Sequence, residues 1–74
     1  MYTASFSSVC KGSELISILY IYRNLGERHE CRTLEGKLAQ TFYSALVGSH
    51  SKQQVLSLAF TKATPVEDNP TTRR

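Results

Sequence analysis

Apolar and polar positions alternate along three successive stretches of the chain and then give way to a helical rhythm. Residues 15–23, Leu-Ile-Ser-Ile-Leu-Tyr-Ile-Tyr-Arg, are the most apolar run. Ile16, Ile18, Tyr20 and Tyr22 share one parity, and Leu15, Leu19 and Ile21 the other. Successive side chains of a strand leave opposite faces, so this run shows apolar groups on both. One face needs a core and the other a partner. Upstream, Tyr2, Ala4 and Phe6 alternate with Thr3, Ser5 and Ser7, the period-2 pattern of a half-buried strand over residues 2–8. Downstream, Arg28, Glu30 and Arg32 alternate with His29, Cys31 and Thr33, which predicts a third strand with one wet face.

Turn signals separate these strands. Gly12 lies within Cys10-Lys11-Gly12-Ser13 and is free to take positive φ. Asn24-Leu25-Gly26 suits a three-residue hairpin loop. A competing pattern has Ser13 capping a helix from Glu14 that ends at Gly26, which would make the protein a small all-α domain of three helices. Three isoleucines and two tyrosines in the run favour the strand.

Thr33 then reads as an N-cap for a helix over residues 34–47, with Leu34, Leu38, Phe42, Ala45 and Leu46 at helical spacing and Gly48 as its end. Gly36 within its first turn weakens it by about 1 kcal/mol relative to Ala. Over residues 54–62, Leu56, Leu58 and Phe60 alternate with Ser57, Ala59 and Thr61, predicting a fourth strand. Ser51-Lys52-Gln53-Gln54 competes with it as a capping box that would open a helix. Residues 65–74 hold two prolines and almost nothing to bury, the profile of a disordered tail. The expectation is an α+β fold over residues 1–64: a three-strand antiparallel meander, one helix across one face and a fourth strand. The order βββαβ resembles the opening half of ribonuclease-H-like folds and several small binding folds. No activity follows from element order, and the first strand carries no acidic residue.

The predicted loops pair the faces, since a one-residue slip would exchange them. A three-residue loop at 24–26 sets Tyr22 beside Arg28, Tyr20 beside Glu30 and Ile18 beside Arg32. A four-residue loop at 10–13 joins Tyr2, Ala4 and Phe6 to Leu15, Leu19 and Ile21 on the helix-covered face, completed by Leu56, Leu58 and Phe60. The stripe Ile16, Ile18, Tyr20 and Tyr22 is left bare, bordered by Ser5 and Ser7 on one side and by Arg28, Glu30 and Arg32 on the other. Such a patch covers a few hundred Å², the size at which monomers tend to have a binding reason for it.

Size and charge refine this picture. A chain of 74 residues buries only about 60% of its unfolded surface, and oligomerisation is the usual supplement to so small a core. The net charge of +3 is diffuse, because the charges between Glu27 and Lys37 cancel. That permits nucleic acid without signalling it. No run approaches the roughly 20 apolar residues of a membrane span, and no apolar leader follows a basic start, so the expectation is a cytoplasmic protein without a membrane partner.

Reactive residues add little. Cys10, His29, Cys31 and His50 lack the paired spacing of a zinc site. A disulfide between Cys10 and Cys31 would bridge two strand spacings, near 10 Å, beyond the roughly 7 Å limit. Cys10 with His29 or His50 is the only nucleophile and base combination, and no third group accompanies it. The isolated glycines form no phosphate loop. The sequence thus points away from an enzyme, a cofactor or a small-molecule substrate. It points to an interaction or regulatory module that forms a homodimer, or docks on another protein, through Ile16, Ile18, Tyr20 and Tyr22. The alternative is single-stranded RNA or DNA, with bases stacked on Tyr20 and Tyr22 and phosphates met by Arg28 and Arg32.

Overall fold

A computed structural model describes residues 1–12 and 14–66. Strands β1 (Tyr2–Lys11), β2 (Glu14–Leu25) and β3 (Arg28–Glu35) are followed by helices α1 (Gly36–Val47) and α2 (Lys52–Lys62) and a short strand β4 (Thr64–Pro65). The strands form one antiparallel sheet in the order β1-β2-β3-β4. The fold is α+β, and the all-α alternative does not occur. Both helices lie on one face and bury Leu19 and Ile21 completely, together with Leu34, Ala39, Phe42, Leu46, Leu56, Ala59, Phe60 and Ala63. Full burial of a Leu or Ile side chain stabilises by about 1.5–3 kcal/mol, so the centre of β2 anchors the two layers.

The β1–β2 register sets Ala4 against Ile21 and Phe6 against Leu19, and runs unbroken to Lys11 against Glu14. The hairpin is therefore longer than the predicted loop at 10–13 allowed. The difference is an even number of residues, so the expected faces are kept. The β2–β3 register is different. Leu25 pairs with Arg28 across Gly26 and Glu27, not across a three-residue loop. Gly26 has φ +72° and Glu27 is not left-handed, the pattern of a II′ turn with Gly in its first central position. The odd shift in register exchanges the faces of β3, so Glu30, Arg32 and Leu34 point toward the helices and His29, Cys31, Thr33 and Glu35 away from them.

Three further expectations change. Thr33 pairs with Tyr20 inside β3 rather than capping a helix, and Leu34 is a buried strand residue. Gly36 is not a weak point within a helical turn. Its φ of +67° makes the abrupt passage from strand to helix that a side chain would strain. Residues 54–62 belong to α2, so the predicted fourth strand is a helix. Burial there falls on Leu56, Ala59 and Phe60, continued by Ala63 at the C-cap, while Leu58 is 54% exposed, a period of 3.6 rather than 2. The N–H groups of Gln54 and Val55 donate to the carbonyl of Ser51, while the Ser51 side chain makes no cap bond.

The chain regains the sheet only at β4, where Thr64 opposes Thr33, Pro65 opposes Arg32, and Val66 N–H donates to the Cys31 carbonyl at 3.1 Å. The predicted tail therefore gives up its first two residues to the sheet edge, where a proline costs no ladder bond. Residues 67–74 of that tail lie outside the described residues. With α2 interposed, the order is βββααβ rather than the expected βββαβ.

Candidate interaction face

The four stripe residues come together as the sequence predicts. Ile16, Ile18, Tyr20 and Tyr22 project from β2 on the face opposite Leu19 and Ile21, where no helix lies among the described residues, and each is half-buried by its flanking rows. On the β1 side their neighbours are Val9, Ser7, Ser5 and Thr3. On the β3 side Glu35 opposes Ile18, Thr33 opposes Tyr20 and Cys31 opposes Tyr22. Burial alone raises the Cys31 thiol above its usual pKa, so this sulfur stays protonated and unreactive at neutral pH.

The border expected to carry Arg28, Glu30 and Arg32 is instead small and nearly uncharged, with Glu35 its one charge, and the opposed Lys11 and Glu14 lie on the same face beyond Ile16. The turn at Gly26 sends those charges to the other face, where they close one end of the core. Glu30 accepts from Arg23 at 2.7 Å and from Arg32 at 3.1 Å. Arg32 also donates to the Phe60 carbonyl at 3.3 Å and lies 4.3 Å from the centre of the Phe60 ring, with Arg23 at 5.2 Å and the Tyr2 ring set edgewise at 5.4 Å. Arg32 first, then Arg23, holds the Glu30 carboxyl below its ordinary pKa. Arg28 stands exposed beside the turn, also on the helical side of the sheet. The structure thus does not bring Tyr20 and Tyr22 onto one face with Arg28 and Arg32, and the predicted nucleic-acid platform loses its cations.

The reactive residues are dispersed. Cys10 is exposed on the helical side of the β1–β2 hairpin tip, and Cys31 is on the open face across β2, so both are free. His29 opposes Asn24 at the far end of the sheet, and His50 is exposed between the helices. Among the described residues no three His, Cys, Asp or Glu side chains gather to hold a metal, and no helix is long and apolar enough to cross a membrane.

Two features escape sequence reasoning. One is a groove of about 240 Å³ beside β1, lined by Ala4, Phe6, Tyr43, Val47, Lys52 and Leu56 among others, with Phe6 and Tyr43 stacked at 4.3 Å. The other is Gln53, whose side-chain amide accepts from Tyr2 N–H at 3.2 Å and donates to the Tyr2 carbonyl at 3.1 Å. No protein-family model matches the chain, and neither a curated protein nor a solved structure gives a significant match.

Proposed function

We propose that this chain is a non-enzymatic interaction module that self-associates through the open face of its sheet. The observation that carries this reading is the half-buried row Ile16, Ile18, Tyr20 and Tyr22 on the central strand, edged mainly by Ser, Thr and Cys, with its charges Lys11, Glu14 and Glu35 confined to one end, and left bare by both helices. An apolar centre depleted of charge within a small polar rim is the anatomy of a protein interface. A like surface on a second copy is self-complementary about a two-fold axis. The free thiols Cys10 and Cys31 support a reducing compartment, the cytoplasm, as its location. The corrected β3 register favours protein over nucleic acid as the occupant, since the guanidiniums of Arg23 and Arg32 are engaged with Glu30 and Phe60.

The test is sedimentation velocity on the wild type and on the double variant Ile18→Glu, Tyr20→Ser, with far-ultraviolet circular dichroism to show that the fold is kept. The expected result is a twofold loss of assembly mass in the variant. An unchanged mass refutes the reading. Salt-sensitive binding of a labelled single-stranded oligonucleotide, lost in the same variant, would transfer the face to nucleic acid.

A further inference from the structure

A second surface, separate from the open face, lies along the free edge of β1, and we propose that it pairs antiparallel with β1 of a second copy to join two sheets into one. Hydrogen-bond phase identifies which backbone groups are available. Asn24 N–H donates to the Met1 carbonyl, so odd residues of β1 bond inward to β2 and even residues bond outward. Gln53 verifies this, because its amide meets both backbone groups of Tyr2 from outside as a strand would. The next rungs, Ala4, Phe6, Ser8 and Cys10, have no hydrogen-bond partner for their outward groups among the described residues. The edge also lacks the usual protections. From Tyr2 to Cys10 it holds no charge, no proline and no bulge.

Self-pairing fits because the helical layer covers only one end of this strand. Tyr43, Val47, Lys52 and Gln53 lie over residues 2–6. The last helical-side position they and their neighbours shield is Ser17, opposite Ser8, where Gln40 donates to the Ser17 hydroxyl at 2.9 Å. Beyond it the hairpin overhangs, with Cys10 exposed and Leu15 61% exposed. A two-fold that sets Ala4 against Cys10 and Phe6 against Ser8 of the copy matches every open rung with an open rung. Four such pairs make about eight hydrogen bonds. It also places each bare tip beside the helical layer of the other copy, with Cys10 of the copy at the groove formed by Ala4, Phe6 and Lys52 and facing Val47, itself 66% exposed. A register that paired residues 2–6 with themselves would drive the two helical layers into each other.

The same register opposes Ser7 to Ser7 as a non-hydrogen-bonded pair, with Cα atoms about 4.5 Å apart and within reach of a disulfide. Two experiments follow, both in the open-face double variant so that only the edge is tested. First, Ser8→Pro removes an outward N–H that no intramolecular bond uses, and it should lower the mass at least twofold by sedimentation while leaving the circular dichroism spectrum unchanged. Second, Ser7→Cys with Cys10→Ser and Cys31→Ser should be oxidised by dissolved oxygen to a disulfide-linked dimer, and Ser5→Cys in the same background should not, its two copies being offset by roughly 13 Å along the strand. A Ser8→Pro protein of unaltered mass, absence of Ser7→Cys linkage, or equal linkage at Ser5→Cys overturns the edge pairing. Both readouts are taken with the open-face contact already removed, so they report on the edge alone, whereas the open-face reading is tested by the double variant against the wild type.

Discussion

Leu19 and Leu15 are the same residue type on the same strand and face, four positions apart, yet the helices cover only Leu19. Leu19 is 0% exposed between Phe6 and Leu34, and Leu15 is 61% exposed on the overhanging hairpin. Truncating a fully buried leucine to alanine costs about 3–5 kcal/mol, the lost transfer energy plus the cavity left behind. A leucine more than half exposed has little transfer energy left to lose and opens no cavity, so Leu15→Ala should cost about 0.5 kcal/mol. The whole domain is worth roughly 4–11 kcal/mol at typical stability per residue, and Leu19→Ala removes about a quarter of that or more. The assay is urea denaturation followed by circular dichroism, at chain concentrations where the midpoint has ceased to depend on concentration. With a slope near 1 kcal/mol/M for so small a domain, the midpoint should fall by about 3–5 M for Leu19→Ala and by about 0.5 M for Leu15→Ala. Equal shifts would refute the claim that the helical layer stops at Ser17, and the staggered edge pairing with it.

Gly36→Ala should destabilise by about 1 kcal/mol, because a left-handed φ of +67° is costly for any residue with a Cβ even where nothing crowds it. Gly48→Ala, at φ −96° with only an ordinary 3.6 Å contact, should be neutral or stabilising in the same urea titration. Glu30 titrates below its unfolded value because of Arg32 and Arg23, so its contribution is complete above the unfolded carboxylate pKa of about 4.3 and is lost as pH falls through the lower folded value. Midpoints measured from pH 7 to pH 2 should therefore decline less on the acid side in Glu30→Gln than in the wild type, and parallel curves would show that the carboxylate is not held by the two arginines.

How much of this was legible depends on which physical signal each element carries. The faces of β1 and β2 were readable because both strands alternate strongly and because a two-residue and a four-residue loop give the same parity. The β2–β3 turn has no such protection. Choosing three residues over two reversed the strand, although Gly26-Glu27 has the form of a II′ turn and Leu34 shares its parity with Arg32. The strand continues to Leu34, where this parity ends in a residue that must be buried. The arginines then face the helices without contradiction, since their stems and planes lie on Phe60 while Glu30 takes up the charge. In α2 the helical period is carried by Ala59 and continued by Ala63 at the C-cap, both buried. Alanine contributes so little hydropathy contrast that the chance alternation of Leu56, Leu58 and Phe60 outweighs it. The β1 edge had no sequence signature at all. A free edge is a property of strand order, and strand order became visible only with β4 on the far side of β3.

That edge bears on the open face through area. Three full strands at about 4.8 Å spacing and roughly 34 Å length present some 480 Å² per copy, so a face-to-face pair buries roughly 950 Å² in total, short of the 1,200–2,000 Å² of a typical stable interface. Two copies joined at β1 present one continuous face of twice that width, and a pair of such sheets buries roughly 1,900 Å² by the same measure. The two surfaces are therefore coupled in one direction. Edge pairing needs nothing from the open face, because its hydrogen bonds lie in the plane of the sheet. Stable stacking of the open faces needs the edge. Substitutions on the stripe should leave an edge-paired dimer intact, whereas a proline at Ser8 should weaken both contacts at once.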